Sequence, residues 1–585
     1  MPTIAFSTLG CRVNQYDTDS MRGLFLAAGF TEADFDGPAD VYVINTCSVT
    51  QVGEKKSRQL IRRTKKRNEA AKVIVTGCYA QLDPELLTSM PEVDAVVGTN
   101  ERKRIVSIVR ELLHDGEDEA ITAVHDVRRH DEFEEIPLYP SAVEHTRADL
   151  KIQEGCNNFC SYCIIPYTRG ALKSRRPDAI VAEAQRLVAA GFKEIVLTGI
   201  HLGAYGRDLD DHPTLAHILD RLVKETDVAR IRLGSIESLE IGDDMIAVMN
   251  SSDRICPHLH LPLQSGSDTI LKAMNRHYTV AEYEDLIARL RSRIDGLTVS
   301  TDLILGFPGE TEALFDETMA ALERLRFSHI HAFPYSQRRG TPAADMKDQV
   351  NTAEKKRRVE LVNELSARQK EALLTSLVGQ KAAVLIEKQD GTTGEGFTEN
   401  YERAVVEGLP AGAEGTVVPV TLTDTDGAKL VGEPITGRPR ESCACIRPQL
   451  GAFSANESRQ TSHVNKKEEF IMEDCIFCKI VAGEIPSTKV WEDDDFFAFK
   501  DINPVAPVHV LVIPKKHIQS IAALTPDDAD VAGKMLFAIQ KVAQVMGLDK
   551  DGFRVVFNTG EKAGQTVHHM HAHILGGKEM AWPGV

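Results

Sequence analysis

Residues 151–170, KIQEGCNNFCSYCIIPYTRG, decide how the chain is interpreted. They place Cys156, Cys160 and Cys163 at C-x3-C-x2-C spacing. A loop this short can turn three thiolates onto three corners of one iron–sulfur cube, which leaves the fourth iron open to a small molecule. A structural zinc loop or a chance clustering is the alternative, but three-cysteine zinc sites usually recruit a fourth ligand, and no nearby histidine stands at conventional ligand spacing. The spacing therefore predicts a 4Fe–4S cluster.

Upstream of this loop, residues 1–100 alternate short β-rich runs with helical patterns. TIAFSTLG, DVYVINTC, KVIVTGCY and VDAVVG are typical of buried strands in a parallel α/β sheet. Cys11, Cys47 and Cys78 fall at or just past the carboxyl ends of such strands, where open α/β sheets place their sites. From the residues alone, a second cluster and three buried structural cysteines remain equally open.

Downstream of the loop the alternation continues to about residue 370. KEIVLTGIHL, ARIRLGS, HLHLPL, TVSTDLILGF and HIHAFPYS predict strands separated by helices, which favours a full or partial barrel with its site on the loops after the strands. Residues 115–147 are interpreted as a linker with local structure. Residues 376–438 carry strand patterns between glycine-rich turns, as in a small β-barrel. A polar, unpatterned stretch at 441–470 precedes a compact final domain.

Composition limits the classes of function. The chain has 585 residues, 42% of them hydrophobic and 26% charged, so several globular domains are expected. No apolar run approaches the ~18–20 residues needed to cross a bilayer, and the start lacks the pattern of a secretory signal, so we expect no membrane association and a cytoplasmic location. The net charge of −18 argues against indiscriminate nucleic-acid coating, although a local basic patch can still bind RNA.

The final domain carries a run of alternating histidines in VHHMHAHILGG. His569, His571 and His573 share one face of a predicted strand, while the residues between them point into the core. A chance histidine-rich strand or a simple metal-binding strip is the alternative. Three imidazoles in a row, followed by two glycines, favour a site.

The cysteine loop with its flanking IIPYTRG resembles the radical S-adenosylmethionine (SAM) superfamily, and specifically its methylthiotransferase branch. TLGCRVNQYDTD, DVYVINTCSVT and VTGCYAQ resemble the amino-terminal domain of that branch. VLTGIHLGAYG, HLHLPLQSGSD, MNRHY, DLILGFPGET and HAFPYSQRRGTPAA resemble its central barrel. Residues 376–440 occupy the place of its RNA-binding TRAM barrel.

The resemblance implies the cofactors. SAM would chelate the open iron of the cysteine-loop cluster, and one electron would cleave it to a 5′-deoxyadenosyl radical that takes hydrogen from carbon 2 of an adenine. A second 4Fe–4S cluster on Cys11, Cys47 and Cys78 would carry the sulfur that another SAM methylates and that is then transferred. Glu237 and Gln264 are further candidates for SAM contacts. An electron donor such as flavodoxin or ferredoxin is implied as a partner.

The substrate branch is a finer prediction. CRVNQYD, KIQEGCNNFCSYCIIPY and GIHLGAYG are most similar to enzymes that modify N6-threonylcarbamoyladenosine beside the tRNA anticodon. The branches that act on isopentenyl-adenosine in tRNA or on a ribosomal-protein aspartate resemble these phrases less and stay as alternatives.

A basic segment, KKSRQLIRRTKKR at 55–67, predicts a tRNA-binding helix face. Lys55, Arg58, Arg62 and Lys66 stand at i, i+3, i+7 and i+11, which gives a continuous stripe. Phosphate contacts from such a stripe position RNA without reading its sequence. A solvated basic face is the alternative.

Two more segments are candidates for RNA contact. The basic residues after the cysteine loop are expected to extend the track, namely Arg169, Lys173, Arg175 and Arg176. In the TRAM-like segment, GEGFTENYERAVV resembles the Gly-aromatic-Asn-Tyr turn of the family, but the segment is acid-rich. We therefore expect its RNA binding to be weak or to be limited to Asn400, Tyr401 and Arg403.

The final segment resembles the histidine triad (HIT) family of nucleotide phosphoramidases and hydrolases. CIFCKIVAGEIPSTKVWEDDDFFAF, DINPVAPVHVLVIPKKHI and FNTG match in order. The resemblance implies that His571 is the nucleophile that attacks the α-phosphorus of a purine nucleotide and forms a nucleotidyl-imidazole. The other residues that it assigns to the nucleotide site are Asp501, Ile502, His509, Asn558, Gln565, Thr566, His569 and His573.

A zinc site in this domain stays open. Cys475, Cys478, His517 and His569 match the tetrahedral zinc site of some family members, but members without zinc exist. The sequence equally leaves open a HIT-mediated homodimer, the sulfur donor, the reductant and the physiological nucleotide.

The sequence thus predicts a multidomain α/β and α+β enzyme. Its expected parts are a methylthiotransferase amino-terminal domain at 1–140, a radical SAM partial (β/α) barrel at 141–373, a TRAM-like β-barrel at 374–440, a linker at 441–470 and a HIT domain at 471–585. The expected function is methylthiolation of carbon 2 of N6-threonylcarbamoyladenosine in tRNA, joined to nucleotide phosphoramidase or hydrolase activity. The alternative is an isopentenyl-adenosine tRNA or ribosomal-protein methylthiotransferase with a non-catalytic, nucleotide-binding HIT module.

Overall fold

The computed structural model of the chain describes two compact units, Met1–Ser454 and Ala455–Val585. The residues that it describes are 1–114, 120–128, 132–143, 145–435, 475–483, 485–501, 504–525, 528–550, 552–560, 563, 565 and 567–578. Ile502, Thr566 and the linker predicted at 441–470 lie outside them. Among the described residues, no helix combines the length and the apolar character that a bilayer span requires.

The amino-terminal domain is a parallel sheet covered by helices. Its strands are β1 (Thr3–Thr8), β2 (Thr31–Glu32), β3 (Val41–Thr46), β4 (Lys72–Gly77), β5 (Ala95–Val97) and β6 (Ile121–Ala123). Its helices are α1 (Arg12–Ala27), α2 (Gln51–Arg67), α3 (Cys78–Leu82), α4 (Pro84–Thr88) and α5 (Ile105–His114). The strand order is β2-β1-β3-β4-β5-β6, and every residue of β3 is buried, as expected for a parallel sheet covered on both faces.

The second part of this unit is a partial barrel of parallel strands. The strands from Arg147 onward are β7 (Arg147–Lys151), β8 (Gln153–Glu154), β9 (Lys173–Ser174), β10 (Glu194–Thr198), β11 (Arg230–Leu233), β12 (His258–His260), β13 (Thr298–Leu305) and β14 (His329–Pro334). Six of them form the sheets β11-β10-β7 and β12-β13-β14, which a parallel bridge between Ser235 and His260 joins, while β8 and β9 form a separate antiparallel pair. The predicted barrel is therefore confirmed as a partial one.

Helices cover the outside of the barrel. They are α6 (Ile165–Arg169), α7 (Pro177–Ala189), α8 (Leu215–Glu225), α9 (Asp243–Ser251), α10 (Asp268–Ala273), α11 (Val280–Arg293), α12 (Glu312–Leu325) and α13 (Thr352–Leu377). One face of each strand, with Leu150, Leu197 and Leu303 among its residues, packs with these helices in the largest hydrophobic core. Because successive side chains alternate, the opposite face lines the inside of the barrel, which we call the lumen.

The lumen is polar along most of its length. It carries Arg147, Asp149, Lys151, Glu194, Thr198, Arg230, Arg232, His258, His260, Thr298, Ser300, Asp302, His329 and His331. Polar side chains such as these do not pack against one another as the side chains of an apolar core do. It suits a site for a polar ligand.

The interpretation of residues 115–147 as a linker is wrong for the part that the structure describes. Strand β6 extends the amino-terminal sheet by pairing with β5. Leu138 is buried in the barrel core, and Glu134 and Glu135 pair with buried arginines. The sequence of this segment has no regular alternation of apolar and polar residues that would reveal these contacts, because each contact is made by a single side chain.

The TRAM-like segment forms a closed five-stranded barrel. Its strands are β15 (Lys381–Asp390), β16 (Thr393–Thr398), β17 (Arg403–Val406), β18 (Val417–Thr425) and β19 (Leu430–Pro434), joined in the order β15-β16-β17-β19-β18. Val384, Ala404 and Leu422 lie in its core. Strand β16 lies in a segment that the sequence predicts to be one of the glycine-rich turns of this barrel, so that part of the prediction is wrong.

The second unit contains a five-stranded antiparallel sheet. Its elements are α14 (Ile476–Val481), β20 (Lys489–Glu492), β21 (Phe496–Lys500), β22 (Val508–Pro514), α15 (Ala529–Val545), β23 (Arg554–Val556) and β24 (Ala572–Gly576), and the sheet order is β20-β21-β22-β24-β23. Met570 and Ile574 point into the core, as predicted. The strand begins only at Ala572, so His569 and His571 precede it and the expectation of one strand through all three histidines is wrong.

Candidate functional site

Cys11, Cys47 and Cys78 come together at one edge of the amino-terminal sheet. They follow β1, β3 and β4, which pair directly in that order, and parallel strands present their carboxyl ends at the same edge. The loop that carries Cys11 approaches Cys47 closely: a Cβ on Gly10, whose φ is +113°, would lie 3.2 Å from the Cys47 Sγ. The fold thus supplies three thiols from three separate segments.

A buried guanidinium faces these thiols. Arg169 Nε donates a hydrogen bond to Cys78 Sγ over 3.3 Å, and the Arg169 side chain is fully buried. Burial, helped by the neighbouring Cys78 and Cys11 sulfurs, raises the pKa of Cys47 to about 11. Three mutually repelling thiols become thiolates when a cation compensates them, so this donor set fits an iron–sulfur cluster with three protein ligands.

Cys156, Cys160 and Cys163 lie at the carboxyl end of β7, beyond β8. Gly155 allows the tight entry to the loop, because its φ is +74° and a Cβ there would collide with the Ala171 carbonyl oxygen. Burial, together with the Cys160 and Cys156 sulfurs, raises the pKa of Cys163 to about 12. This set of thiols also fits a cluster with three protein ligands.

Two side chains contact the sulfurs of this loop. His201 Nδ1 lies 3.6 Å from Cys156 Sγ and Arg276 Nη1 lies 3.6 Å from Cys160 Sγ. Arg276 also pairs with Glu237 in a two-pronged ion pair, and a cavity of about 240 Å³ adjoins both residues. Glu237 is therefore close to the loop.

A buried ion network ties the two cysteine sites together. The carboxylates of Asp17 and Glu154 each contact Arg102, Lys151 and Arg169. Asp17 lies on the helix that follows Cys11, and Glu154 precedes Cys156 by two residues. Because removing one partner of such a network leaves an uncompensated buried charge, the network strongly favours a single relative placement of the two loops.

The turn between β16 and β17 inserts into the amino-terminal mouth of the barrel. Arg232 Nη1 donates to the Glu399 carbonyl oxygen over 3.0 Å, and Thr298 Oγ1 donates to the Asn400 carbonyl oxygen over 2.6 Å. The Tyr401 ring stacks with Phe397 at 4.9 Å, and its hydroxyl accepts a hydrogen bond from Arg12 over 2.8 Å. We call residues 398–402 the plug.

The predicted RNA contact of Asn400 is therefore wrong, because Asn400 is 2% exposed. Tyr401 is half-buried and contacts Arg147 and Arg232 at this mouth, so its role in RNA binding stays a prediction. Arg403 is exposed at the base of the turn, and its role in RNA binding stays a prediction.

The basic stripe forms the predicted helix α2, which Thr50 caps by accepting from the Gly53 amide. Lys55, Arg62 and Lys66 are exposed. Arg58 differs, because it is half-buried and donates to the Tyr79 hydroxyl over 2.6 Å.

The predicted extension of this stripe is wrong for three of its residues. Arg169, Lys173 and Arg175 are buried in ionic and polar contacts inside the unit, and Arg176 is exposed. Charged residues that follow a strand at this edge of a sheet can form buried ion pairs as readily as they can form an exposed basic surface for RNA.

In the second unit, four predicted zinc ligands converge. Their ligand atoms, from Cys475, Cys478, His517 and His569, lie within 4.8 Å of one another. Cys478 Sγ lies 3.2 Å from His517 Nδ1 and 3.5 Å from His569 Nδ1, near the separation of about 3.5 Å that tetrahedral Zn–S and Zn–N bonds require. His569 Nε2 donates to the Pro514 carbonyl oxygen over 2.9 Å, which leaves Nδ1 with its lone pair. The donor set fits zinc.

The histidines form a second group. His571 Nδ1 donates to the His569 carbonyl oxygen over 2.6 Å, which leaves Nε2 as the ring nitrogen not engaged by this bond. His509 Nε2 and His573 Nδ1 share a hydrogen bond of 2.8 Å, and Asp501 Oδ2 lies 3.3 Å from His509 Nε2. Burial lowers the pKa of His573 to about 4, so that ring is neutral at pH 7.

The remaining predicted nucleotide contacts are placed less directly. Asn558 is half-buried on the segment after β23. Gln565 is buried, and its amide bonds to the Gly560 amide and to the Gln519 and Val567 carbonyl oxygens, so it closes a loop. Both roles stay predictions.

Arg276, His260 and Asp302 were absent from the sequence prediction of site residues. His260 and Asp302 occupy the lumen with His331, and their ligand atoms lie within 4.8 Å of one another. The sequence does contain a pattern that indicates them: polar and apolar residues alternate in HLHLPL and TVSTDLIL, which predicts one polar and one apolar face on each of these strands.

Comparison with family models covers both units. The model of Uncharacterized protein family UPF0004 matches residues 3–98, that of the Radical SAM superfamily matches 150–322, and that of the HIT domain matches 482–580.

Characterised relatives match the first unit. Over 414 residues the chain is 45% identical to the threonylcarbamoyladenosine tRNA methylthiotransferase MtaB of Bacillus subtilis, which covers 70% of this chain and 91% of the relative. It is 34% identical over 440 residues to the tRNA-2-methylthio-N(6)-dimethylallyladenosine synthase of Staphylococcus haemolyticus, with 74% of this chain and 84% of the relative covered.

Among solved structures, a HIT family hydrolase from Legionella pneumophila is 49% identical, with 19% of this chain and 98% of that chain covered and a TM-score of 0.19.

Proposed function

The chain belongs to the MtaB-type family of radical SAM tRNA methylthiotransferases and ends in a HIT domain, and from this premise we propose that it methylthiolates carbon 2 of N6-threonylcarbamoyladenosine beside the anticodon of tRNA. The observation that carries the proposal is the contact of Arg169 with Cys78, within an ion network that ties one cysteine triplet to the loop of the other. A reaction that joins a radical step to a sulfur transfer needs two metal sites held in a fixed relation.

When bound, the two clusters and SAM supply the radical that takes the hydrogen from carbon 2 and the sulfur that replaces it. The protein holds and orients these groups. The proposed ligands of one cluster are Cys11, Cys47 and Cys78. Those of the other cluster are Cys156, Cys160 and Cys163. Arg276 and Glu237 line the cavity beside the loop, where a zwitterionic ligand finds both charges.

The closed base of the barrel supports this chemistry. The plug fills the amino-terminal mouth with Tyr401 and the buried Asn400, so the lumen opens at the end that carries the cysteine loop. A pocket closed at one end limits the access of water to a reactive intermediate. The substrate adenine would have to leave its stack to enter.

The exposed residues of the stripe, Lys55, Arg62 and Lys66, are the proposed phosphate contacts for tRNA. A flavodoxin or ferredoxin is the proposed source of electrons. Because transfer RNA and these carriers are found in the cytoplasm, that is the proposed location.

For the HIT domain we propose hydrolysis of a purine nucleoside phosphoramidate or a related nucleotide. The lone pair of His571 Nε2 attacks the α-phosphorus and forms a phosphorus–nitrogen bond, while the leaving amine departs with a proton. Water then breaks that bond and restores the imidazole. His509, His573 and Asp501 would balance the charge, with Asn558, Gln565, Ile502 and Thr566 in the proposed nucleotide pocket.

Zinc is the proposed occupant of the site of Cys475, Cys478, His517 and His569, since its donor set and spacing match tetrahedral coordination. A homodimer through the HIT domain is proposed from the family resemblance.

The test of the main proposal is mass analysis of tRNA nucleosides from a strain that lacks its own methylthiotransferase. We expect the intact chain to restore the methylthio group on threonylcarbamoyladenosine, and the Cys156→Ala variant to leave it missing. Restoration on isopentenyl-adenosine instead would overturn the substrate assignment. His571→Ala should remove nucleoside phosphoramidate hydrolysis and leave the tRNA product unchanged.

A further inference from the structure

Three polar side chains from neighbouring strands meet in the middle of the lumen. Asp302 on β13 stands directly opposite His331 on β14, and His260 lies on β12 beside them. His260 Nε2 is 3.2 Å from Asp302 Oδ2, and the Ser300 hydroxyl lies 2.9 Å from His260 Nδ1. We call His260, Asp302 and His331 the lumen triad.

The lumen triad lies between the plug and the cysteine loop. One row nearer the amino-terminal mouth, His258 contacts the Tyr401 ring at 4.9 Å, so the plug forms a floor. One row nearer the open mouth, Ile304 pairs with Phe333, whose side chain is 48% exposed. Rows two residues apart are about 6.6 Å apart along a strand, roughly the length of a small polar substituent.

The triad is also close to the cysteine loop through the backbone. The Ile236 amide donates to the His260 carbonyl oxygen over 3.0 Å. The next residue, Glu237, pairs with Arg276, which contacts Cys160 Sγ. A chain of direct contacts therefore joins the triad to the cysteine loop.

The wall is aromatic near the mouth and polar below it. Phe333 and the His331 ring are nearly parallel, at 17° and 6.5 Å. Partial desolvation lowers the pKa of His331, so its ring is neutral at pH 7 and both donates and accepts hydrogen bonds. A flipped purine can stack near the mouth while a polar substituent points towards the triad.

We infer that the lumen triad is the specificity site for the N6 substituent of the target adenine. The inference rests on the proposed function and deepens it. The imidazole of His331 donates to the carboxylate of a threonylcarbamoyl group, and Asp302, which His260 holds in place, accepts from its hydroxyl or urea N–H. An isopentenyl group offers none of these partners.

The discrimination follows from the cost of unpaired groups. A site built to hydrogen-bond a substrate hydroxyl or N–H rejects an analogue that lacks it, because the polar groups of the site lose water and gain nothing. An apolar substituent would leave Asp302 desolvated beside a hydrocarbon.

The test compares two anticodon stem–loop RNAs, one with threonylcarbamoyladenosine and one with isopentenyladenosine at the target position. The full-length, cluster-loaded chain is assayed for RNA binding by fluorescence anisotropy and for single-turnover methylthiolation. The variants are Asp302→Asn, which keeps the side-chain volume, and His331→Phe, with the exposed His217→Phe on α8 as a matched control.

We expect His331→Phe and Asp302→Asn each to weaken binding of the threonylcarbamoyl RNA by about 10- to 100-fold, the loss of one or two hydrogen bonds to a charged group. Binding of the isopentenyl RNA should stay constant or improve, and His217→Phe should change neither. Equal losses on both RNAs in both variants would overturn the inference, as would discrimination that disappears when a chelator is added, because a bridging cation would then read the substituent. A wild-type chain inactive on both RNAs would refute the proposed function instead.

Discussion

Arg169 Nε and Cys78 Sγ lie 3.3 Å apart in a fully buried setting, although the two residues belong to different domains. The arginine stands on α6, the helix that follows the cysteine loop of the barrel, and the cysteine opens α3 of the amino-terminal domain. One guanidinium therefore couples the chemistry of one cysteine triplet to the position of the other.

Arg169→Gln should lower the reduction potential of the cluster on Cys11, Cys47 and Cys78. A hydrogen bond and a positive charge at a ligand sulfur stabilise the reduced, more negative state. We expect a fall of roughly 60 mV, which corresponds to about 1.4 kcal/mol in a one-electron couple. The measurement is a redox titration followed by electron paramagnetic resonance in a chain whose three loop cysteines are replaced by Ala.

Arg102→Gln is the control, because Arg102 shares Asp17 and Glu154 with Arg169 but pairs with carboxylates. If both variants shift the potential equally, the network as a whole and not the sulfur contact sets it. Arg169→Lys, which retains the charge, should lie between wild type and Arg169→Gln.

Tyr401→Ala should destabilise the first unit by about 2–4 kcal/mol, the usual range for removing a large aromatic side chain from a packed site. The variant cannot form the ring stacking with Phe397 and His258 or the Arg12 hydrogen bond. Denaturant unfolding, monitored by a probe in the barrel, measures the change. Tyr401→Phe keeps the ring stacking, and we expect a decrease of only about 1 kcal/mol; equal decreases in both variants would contradict the packing argument.

Stability of the plug should fall as pH rises from about 4.5 to about 8. Burial raises the pKa of Glu402 to about 8, and Lys370 Nζ at 3.9 Å offsets this only in part. The folded state then binds more protons than the unfolded state between the ordinary range near 4.5 and about 8, so unfolding free energy decreases with pH in that window. Glu402→Gln should make the profile less steep, with Glu399, whose pKa burial raises to about 7, contributing the remaining slope.

The exposed Glu407→Gln variant in the same barrel serves as its control. A wild-type unfolding profile between pH 6 and 9 that coincides with that of Glu402→Gln would be incompatible with a neutral, buried Glu402.

Replacing Lys55, Arg62 and Lys66 together by Ala should weaken tRNA binding more than Arg403→Ala. Each phosphate interaction that is removed also lowers the slope of log affinity against log salt by nearly one. Filter binding over a salt series measures both quantities. Replacing three exposed lysines of the barrel, Lys193, Lys224 and Lys347, changes the net charge equally and should have a smaller effect; a comparable effect would assign the weakening to net charge.

Cys478→Ser should remove one equivalent of zinc from the chain and lower the melting temperature of the HIT domain. A closed four-ligand site contributes directly to folding. Metal analysis of cluster-loaded protein and calorimetry with and without a chelator test this, with the neighbouring His568→Ala as control. Wild-type protein without zinc, whose melting is unaffected by the chelator, would show that the site is not a zinc site.

Most of the longer strands were predictable because their apolar runs leave a local pattern, whereas the short β6 and the glycine-rich β16 were not. KVIVTG and VYVINT are continuous apolar runs, and β4 and β3 are buried at those positions. Cys47 and Cys78 were placed correctly after these strands for the same reason. In each case the information lies within ten residues.

The contacts that depend on distant segments were not predictable. Arg169 and Arg175 carry the same charge as the exposed Arg62, and only the fold decides that they meet buried carboxylates such as Asp17 and Glu183. Tyr401 similarly stands in a turn whose composition is equally suited to RNA contact and to docking on the barrel. Side-chain identity sets what a residue can bind, and topology sets what it meets.

The seating of residues 398–402 at the closed end of the barrel has a consequence for how the parts of this chain are inherited. Arg230 and Arg232 satisfy their guanidinium groups with carbonyl oxygens of Ala383, Thr398 and Glu399. Shortening the chain before these residues would remove the carbonyl partners of two buried arginines, leave Glu194 to pair with both, and open the amino-terminal end of the lumen. The TRAM-like barrel is thus part of the stable fold of the radical SAM barrel, and we expect the two domains to be inherited together.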